Sequence, residues 1–300
     1  MNEFREQWLI LISTPIYIII IGLEILLTHL QHRKSYTVKD TFTNLYLMLL
    51  NGGLDLAVRV VTLAILQYFF VRSFFHWPHA VIYWAAILVA EDFMYYWLHR
   101  FDHEVRFFWA IHVTHHSSGH FNFTVGFRSS VFQPLYRFIY FIPLAWIGFK
   151  PTDIAFVYSA TQIWGIFVHT ELIKKMGWFV ESIFVTPSHH RVHHGQNHQY
   201  IDRNMGMFLI IWDKMFGTFE PEGEKVVFGV TKPPTSNKPG EMIFHEFRNM
   251  IADVKRAPDF KSKLLYIFGR PGWDHKVQQL QVPDPIKATL KVSSLQEEEV

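Results

Sequence analysis

Nine of the chain's 18 histidines stand at spacings that suit metal ligation. His99 and His103 are four apart; His112, His115 and His116 follow, and His190, His193 and His194 repeat that second pattern. His169 stands alone between these blocks. On a helix, residues three and four apart share a face, so each block offers its rings to one side. Neutral imidazole suits iron, zinc and copper. Eight or nine converging rings exceed what one ion can use, so the arithmetic points to two metal ions. A solitary histidine is usually structural or exposed, and His29, His32, His76, His79, His245 and His275 are read that way.

The elements that must position these rings read as membrane helices. Half the residues are hydrophobic, 17% are aromatic and 18% are charged, below the roughly 25% charged of soluble domains. A net charge of +2 without a basic stripe argues against nucleic acid. The absence of cysteine excludes disulfides, thiolate-ligated haem and Fe–S clusters. Residues 8–27 are almost wholly apolar, interrupted by Pro15, Gly22 and Glu24. That length matches the roughly 20 residues of a bilayer crossing and exceeds a secretory signal. Residues 45–71, broken by Asn51, Gly52, Gly53, Asp55 and Arg59, form a second candidate, and 79–98 a third. Residues 131–149 and 154–168 flank Gly148 to Pro151 and read as a helical hairpin that crosses or dips into the bilayer.

Arg33, Lys34 and Lys39 lie between the first two spans, which the positive-inside tendency assigns to the cytoplasm. Counting spans brings His99 out on that side, and the hairpin returns the chain to it. All three histidine blocks then share one face. Beyond Gly195 the chain turns polar and turn-rich; 229–240 carries three prolines and reads as a connector. Residues 241–254 place Met242, Ile243, Phe247, Met250, Ile251 and Val254 at amphipathic spacing, 261–268 repeat the pattern, and 281–300 read as a tail. The expected architecture is all-α: a multi-pass membrane helical bundle with a cytoplasmic-side, histidine-rich di-metal unit. Its parts are N-terminal transmembrane helices (1–90), a histidine-rich catalytic unit including the hairpin (91–220), and a peripheral segment with tail (221–300).

His99-Arg100-Phe101-Asp102-His103, His112-Val113-Thr114-His115-His116 and His190-Arg191-Val192-His193-His194 together resemble the fatty acid hydroxylase/sterol desaturase superfamily of membrane di-iron oxygenases. Residues 92–100, 103–104, 109–118, 169–171, 186–195, 211–219 and 271–273 bring the chain closest to an alkylglycerol monooxygenase-like branch. The likeness runs over roughly 91–273. One departure is Asn204-Met205-Gly206, where an aromatic residue usually precedes the small one; it leaves the metal ligands alone but could reshape the pocket beside them.

The resemblance implies activation of O2 at two iron ions and attack on an unactivated C–H bond of a lipid, giving hydroxylation or desaturation. The expected ligands are His99, His103, His112, His115, His116, His190, His193 and His194, with His169 as a ninth; His189 belongs behind them. Three carboxylates are candidate catalytic groups. Asp92, seven before His99, would hydrogen-bond a ligand ring or pack between helices. Glu104 would orient a ligand, take a proton, or pair with Arg106 or Arg128, and Glu171 carries the same choice. A site at the ends of membrane helices is reached from the bilayer, so the substrate is a sterol, a fatty acyl chain or an alkylglycerol ether lipid, in a tunnel suited to 29 phenylalanines. No nucleotide-binding fingerprint is present, so electrons come from a separate donor; the branch would imply tetrahydrobiopterin. A histidine-rich metal transporter and a zinc-dependent membrane hydrolase are the alternatives. Histidines clustered at span ends speak against the first, and their surplus over three ligands per ion against the second.

Overall fold

The structure, a computed structural model, describes residues 5–276. The tail expected at 281–300 lies outside the described residues. Those described form helices joined by turns; their only β pairing is two isolated bridges, Phe184 with Leu209 and Gly195 with Phe228. The fold is all-α.

Among the described residues, three helices are long and apolar enough to cross a membrane: α1 (Arg5–Leu30), α2 (Val38–Phe70) and α3 (Ala80–Glu104). α1 contains its expected span and extends it at both ends, α2 begins before its span and stops one residue short of its end, and α3 begins one residue into its span and runs beyond it, because the flanking polar residues continue the helices past the apolar runs. Thr37 caps α2 by accepting the Asp40 amide hydrogen. Leu11, Ile18, Leu49, Val60 and Val81 point outward and are exposed, an apolar surface that lipid would cover.

The hairpin is α5 (Phe138–Trp146) and α6 (Pro151–Phe167). Its tip reaches the end of the bundle opposite the histidines, where Trp146 and Ile147 carbonyls accept from Phe74 N (3.3 Å) and Trp77 Nε1 (3.2 Å) in the α2–α3 connection. Gly148, at φ +97°, makes this approach possible: a Cβ there would lie 2.2 Å from the Phe75 carbonyl oxygen. Leu66, Ile87, Phe141, Leu144, Phe149, Ile154 and Val157 form the core among α2, α3, α5 and α6.

At the other end, α4 (Arg106–His116) and α8 (Pro187–His193) carry the second and third histidine blocks. The first block ends α3, and His169 follows the last turn of α6. All nine rings therefore gather at one end of the bundle. The amphipathic α10 (Pro239–Arg256) lies on α4, its Met242 carbonyl accepting from Thr114 Oγ1 and its Glu246 and Asp253 flanking Arg106 (3.0 and 2.6 Å). A second short helix, α11 (Phe260–Phe268), completes the cover over α4.

Glu24, a carboxylate inside α1, is buried at this end. It accepts from Phe123 N (2.9 Å), the Tyr36 hydroxyl and the Thr170 hydroxyl, tying the first helix to the segment after α4 and to the residue beside His169. An ionisable group in an apolar span is costly unless so satisfied.

Candidate metal centre

The nine histidines sort into two sets. His99, His103, His112, His116 and His193 form one, and His115, His169, His190 and His194 the other; within each, the offered nitrogens all lie within 4.8 Å of one another. All but His115 are buried. The sets are adjacent, since the His116 and His194 rings, one from each, stack with centroids 4.3 Å apart.

Hydrogen bonds show which nitrogens face the centres. His99, His115, His169 and His193 each place Nδ1 against a backbone carbonyl, of Met205 (2.7 Å), Arg128 (2.8 Å), Gly165 (2.6 Å) and Arg203 (3.0 Å) respectively. A carbonyl only accepts, so Nδ1 carries the hydrogen and Nε2 of the neutral ring presents a lone pair. Those lone pairs face one another. His169 Nε2 lies 3.0 Å from His190 Nε2 and 3.2 Å from His194 Nε2. His112 Nε2 lies 3.1 Å from His99 Nε2 and 3.2 Å from His116 Nε2. One nitrogen between two others cannot satisfy both by hydrogen bonding, and Nε2 of His103 and His193 are buried with no hydrogen-bond partner. A cation at each focus resolves the conflict. With metal–nitrogen bonds of about 2.0–2.1 Å, ligands at right angles sit about 3.0 Å apart, and the observed separations fit.

Burial, reinforced by neighbouring rings, pushes His112, His116, His169, His190, His193 and His194 well below the usual histidine range. His115 falls to about 4, burial outweighing its hydrogen bond to the Arg128 carbonyl. Neutral rings are what a metal requires. A pH dependence follows for the metal-free protein. The unfolded chain protonates its histidines as pH falls through 6.5, whereas folded His115 resists to about 4. Stability should thus be full above pH 6.5 and be lost as pH falls through that interval, which chemical denaturation at stepped pH would measure. A flat profile between those values would contradict it.

The carboxylates lie elsewhere. Asp92 accepts from Phe208 N (2.9 Å), Leu209 N (3.0 Å) and Trp212 Nε1 (2.9 Å), so its partners are a loop and an indole, with no ligand ring among them. Glu104 pairs with Arg100 and Arg270, each at 3.1 Å, in place of Arg106 or Arg128. Glu171 lines an outer depression of about 1,090 Å³ with Arg33, Lys174, Lys175 and Lys225. Burial raises its pKa, which the Arg191 charge partly offsets. His189 points away from both sets and meets Glu181 at 3.1 Å.

Two groups that sequence reasoning missed position two of the candidate ligands, His99 and His115. Asp213 accepts from Met205 N (2.6 Å), Gly206 N (2.8 Å) and Thr218 Oγ1 (2.6 Å), fixing the loop whose Met205 carbonyl holds His99. Burial lifts its pKa to about 6 against those hydrogen bonds. The departure at Asn204-Met205-Gly206 therefore abuts a ligand directly. Arg128, fully buried, donates to Asp40, Asn44 and the Thr114 carbonyl while its own carbonyl holds His115. A Cβ on Gly206 would lie 2.7 Å from the Leu209 oxygen and 2.9 Å from Asp213 Oδ2. Gly206→Ala should consequently displace Met205 and weaken metal binding by about 10–100-fold, the usual effect of disturbing a ligand's partner. Metal titration of the variant would show it; unchanged affinity would refute the link.

A cavity of about 340 Å³ opens from the two sets toward the membrane, with His99, His112, His115, His169 and His190 in its wall. Phe127, Tyr95 and Tyr158 are its only aromatic carbocycles. The expected phenylalanine-lined tunnel is not what adjoins the two histidine sets; aromatics such as Trp77 on Phe149 and Phe93 on Trp212 pack between helices instead.

Residues 84–218, which contain every ligand candidate, match the fatty acid hydroxylase family. This likeness is to the fatty acid hydroxylase/sterol desaturase superfamily. Within it, the chain is similar to alkylglycerol monooxygenases: it is 43% identical to that of Homo sapiens over 190 residues, 63% of this chain and 42% of the relative. The Xenopus tropicalis enzyme is 34% identical over 279 residues, covering 91% of this chain and 61% of the relative. Ornithine lipid hydroxylase OlsE of Rhizobium tropici is 26% identical over 245 residues, 76% and 73% of the two chains. The chain thus spans roughly half the length of the alkylglycerol monooxygenases it matches. No solved structure matches it.

Proposed function

We propose that this chain is a membrane di-iron oxygenase that uses O2 to hydroxylate a C–H bond of a lipid. The observation that carries the reading is the pair of adjacent sets, five and four histidines, within each of which the offered nitrogens converge within 4.8 Å of one another, Nε2 of His103 and His193 with no hydrogen-bond partner. All-imidazole sites leave high positive charge on divalent ions, which favours oxygen-derived anions as further ligands. Bound there, reduced iron would supply the activation of O2. The protein's own part is to orient the rings, four of them through backbone carbonyls, exclude bulk water from the cavity and place the lipid beside it. In the net reaction one oxygen atom enters the C–H bond and the other leaves as water, with two electrons and two protons from a separate donor.

An alkylglycerol-type ether lipid is the substrate this reading favours, because the chain is 43% and 34% identical to two alkylglycerol monooxygenases. Tetrahydrobiopterin or a redox protein would be the donor. The histidine-bearing end is assigned to the cytoplasm on the strength of Arg33 and Lys34, which lie at that end with Lys174 and Lys175. Accessibility labelling of the 33–39 loop from either side of sealed vesicles would test that orientation. For the activity, iron-loaded protein is supplied with a reductant, isotopically heavy O2 and a lipid extract containing glyceryl ethers. A lipid product carrying one heavy oxygen is expected. Oxygen consumption without labelled lipid, or none with any reductant, would overturn the reading.

A further inference from the structure

The cavity beside the metal ligands carries an ion pair inside a membrane helix. Asp55, in the middle of α2, pairs with Arg137 at the start of α5, and both line the cavity wall. The Arg137 guanidinium lies 4.6 Å from the centre of the Tyr158 ring. Asn51, one turn earlier on α2, donates to the Ser130 carbonyl (2.7 Å), and the Ser130 hydroxyl meets ligand His112 (3.1 Å). With a rise of about 1.5 Å per residue, Asp55 sits roughly 6 Å beyond that level, toward the membrane interior. On the facing wall Gln162 Nε2 is buried, its amide beside the Tyr95 side chain, which also lines the cavity.

Charged groups at membrane depth are expensive and mark sites of function. Tying α2 to α5 does not require them, since Leu66, Phe141 and Leu144 already pack there. We propose that Asp55, Arg137 and Gln162 form a subsite that receives a neutral, hydroxyl-bearing group of the substrate, holding the carbon to be oxidised within a few bonds of that group. The subsite offers an acceptor in Asp55 and donors in Arg137 and Gln162, which together match a hydroxyl's mixed donor and acceptor character. The pair is neutral overall, so a phosphate or an ammonium would bring an uncompensated charge into a low-dielectric cavity. A bare hydrocarbon would strand the same groups unsolvated. At about 340 Å³ the cavity is at the small end of ligand pockets and suits the reacting part of a lipid. Asp55, Arg137 and Tyr158 also line a second pocket of about 120 Å³ among Leu63, Leu66, Phe138 and Phe141, so the pair closes the far end of the reaction cavity.

This inference rests on the oxygenase reading, and the test separates the two. Wild-type holoprotein is given a long-chain glyceryl ether, the same ether with both hydroxyls methylated, and its phosphate monoester. Each hydrogen bond to a charged group is worth a factor of about 10–100, so kcat/KM should fall at least ~10-fold for both altered heads. Asp55→Asn and Arg137→Gln should raise KM for the free diol ~10-fold or more, leave kcat largely intact, and narrow the gap to the methylated ether. Equal use of all three heads by the wild type would overturn the subsite, whether or not the variants fold. So would variants that lose diol and methylated ether in parallel, the signature of a purely structural pair. Anaerobic binding of radiolabelled diol to wild type and variants reads the subsite without turnover. Selective binding with no oxidation of any ether would count against the oxygenase reading and leave the subsite standing.

Discussion

Alanine in place of His169 is expected to remove the metal ion of the four-histidine set and abolish lipid oxidation, while the five-histidine set keeps its ion. His169 Nε2 sits between those of His190 and His194, so its loss leaves three rings, one of them, His115, only partly buried. The other set is more tolerant by construction: His103→Ala leaves four rings. The two variants should therefore differ. Metal analysis should give one ion per chain for His169→Ala, and weaker but detectable occupancy of both sites for His103→Ala. Activity of His169→Ala should fall by well over the about 10–100-fold that follows loss of a ligand's outer partner. Full occupancy in His169→Ala would mean that this lone residue is not a ligand.

The second large effect is on folding. Arg128→Met should destabilise the protein by about 3–5 kcal/mol, because it leaves Asp40 as an uncompensated buried charge. Arg128 Nη1 reaches Asp40 Oδ1 (3.2 Å) and Asn44 Oδ1 (2.7 Å) on α2, and its Nε reaches the Thr114 carbonyl (2.9 Å) on α4. One side chain thus binds the second membrane helix to the helix bearing the second histidine block. Against a typical total of about 5–15 kcal/mol, the loss would lower the melting temperature and impair metal retention. The double variant Arg128→Met/Asp40→Asn should recover part of the loss, since the stranded charge is gone. A single variant that melts like the wild type would show that the guanidinium is dispensable.

What was legible beforehand was local. The histidine blocks are spaced at helical periods within α3 and α4 and along α8 to its C-cap His194, the apolar runs are long enough to set α1 to α3, and 241–254 repeats at amphipathic spacing inside α10. Each of these signals is contained within about one helix. The sorting of nine rings into five and four was not legible, because His115 and His116 are neighbours in sequence yet serve different sets. That division depends on how α8 and the end of α6 pack onto α4. The carbonyls that orient the rings left no mark either, since any residue supplies a carbonyl. Asp92 shared a helical face with His99, but its distance along α3 places it beside the 208–212 segment instead. Glu24 and Asp55 were visible as interruptions of apolar runs. Ionisable residues at that depth, which cost too much to be idle, were the signal that pointed to the interior network and to the cavity wall.

Two metal ions in adjacent, histidine-only sites can be sought by anaerobic loading of the purified protein with ferrous iron, followed by iron analysis, iron-edge X-ray absorption and O2 uptake on a glyceryl ether. Two irons per chain, bound by imidazole without sulfur and consuming O2 only when lipid and reductant are present, is the predicted result. A single tightly held ion, or two ions inert to O2 with every reductant and lipid, would contradict it and favour a zinc hydrolase or a metal carrier.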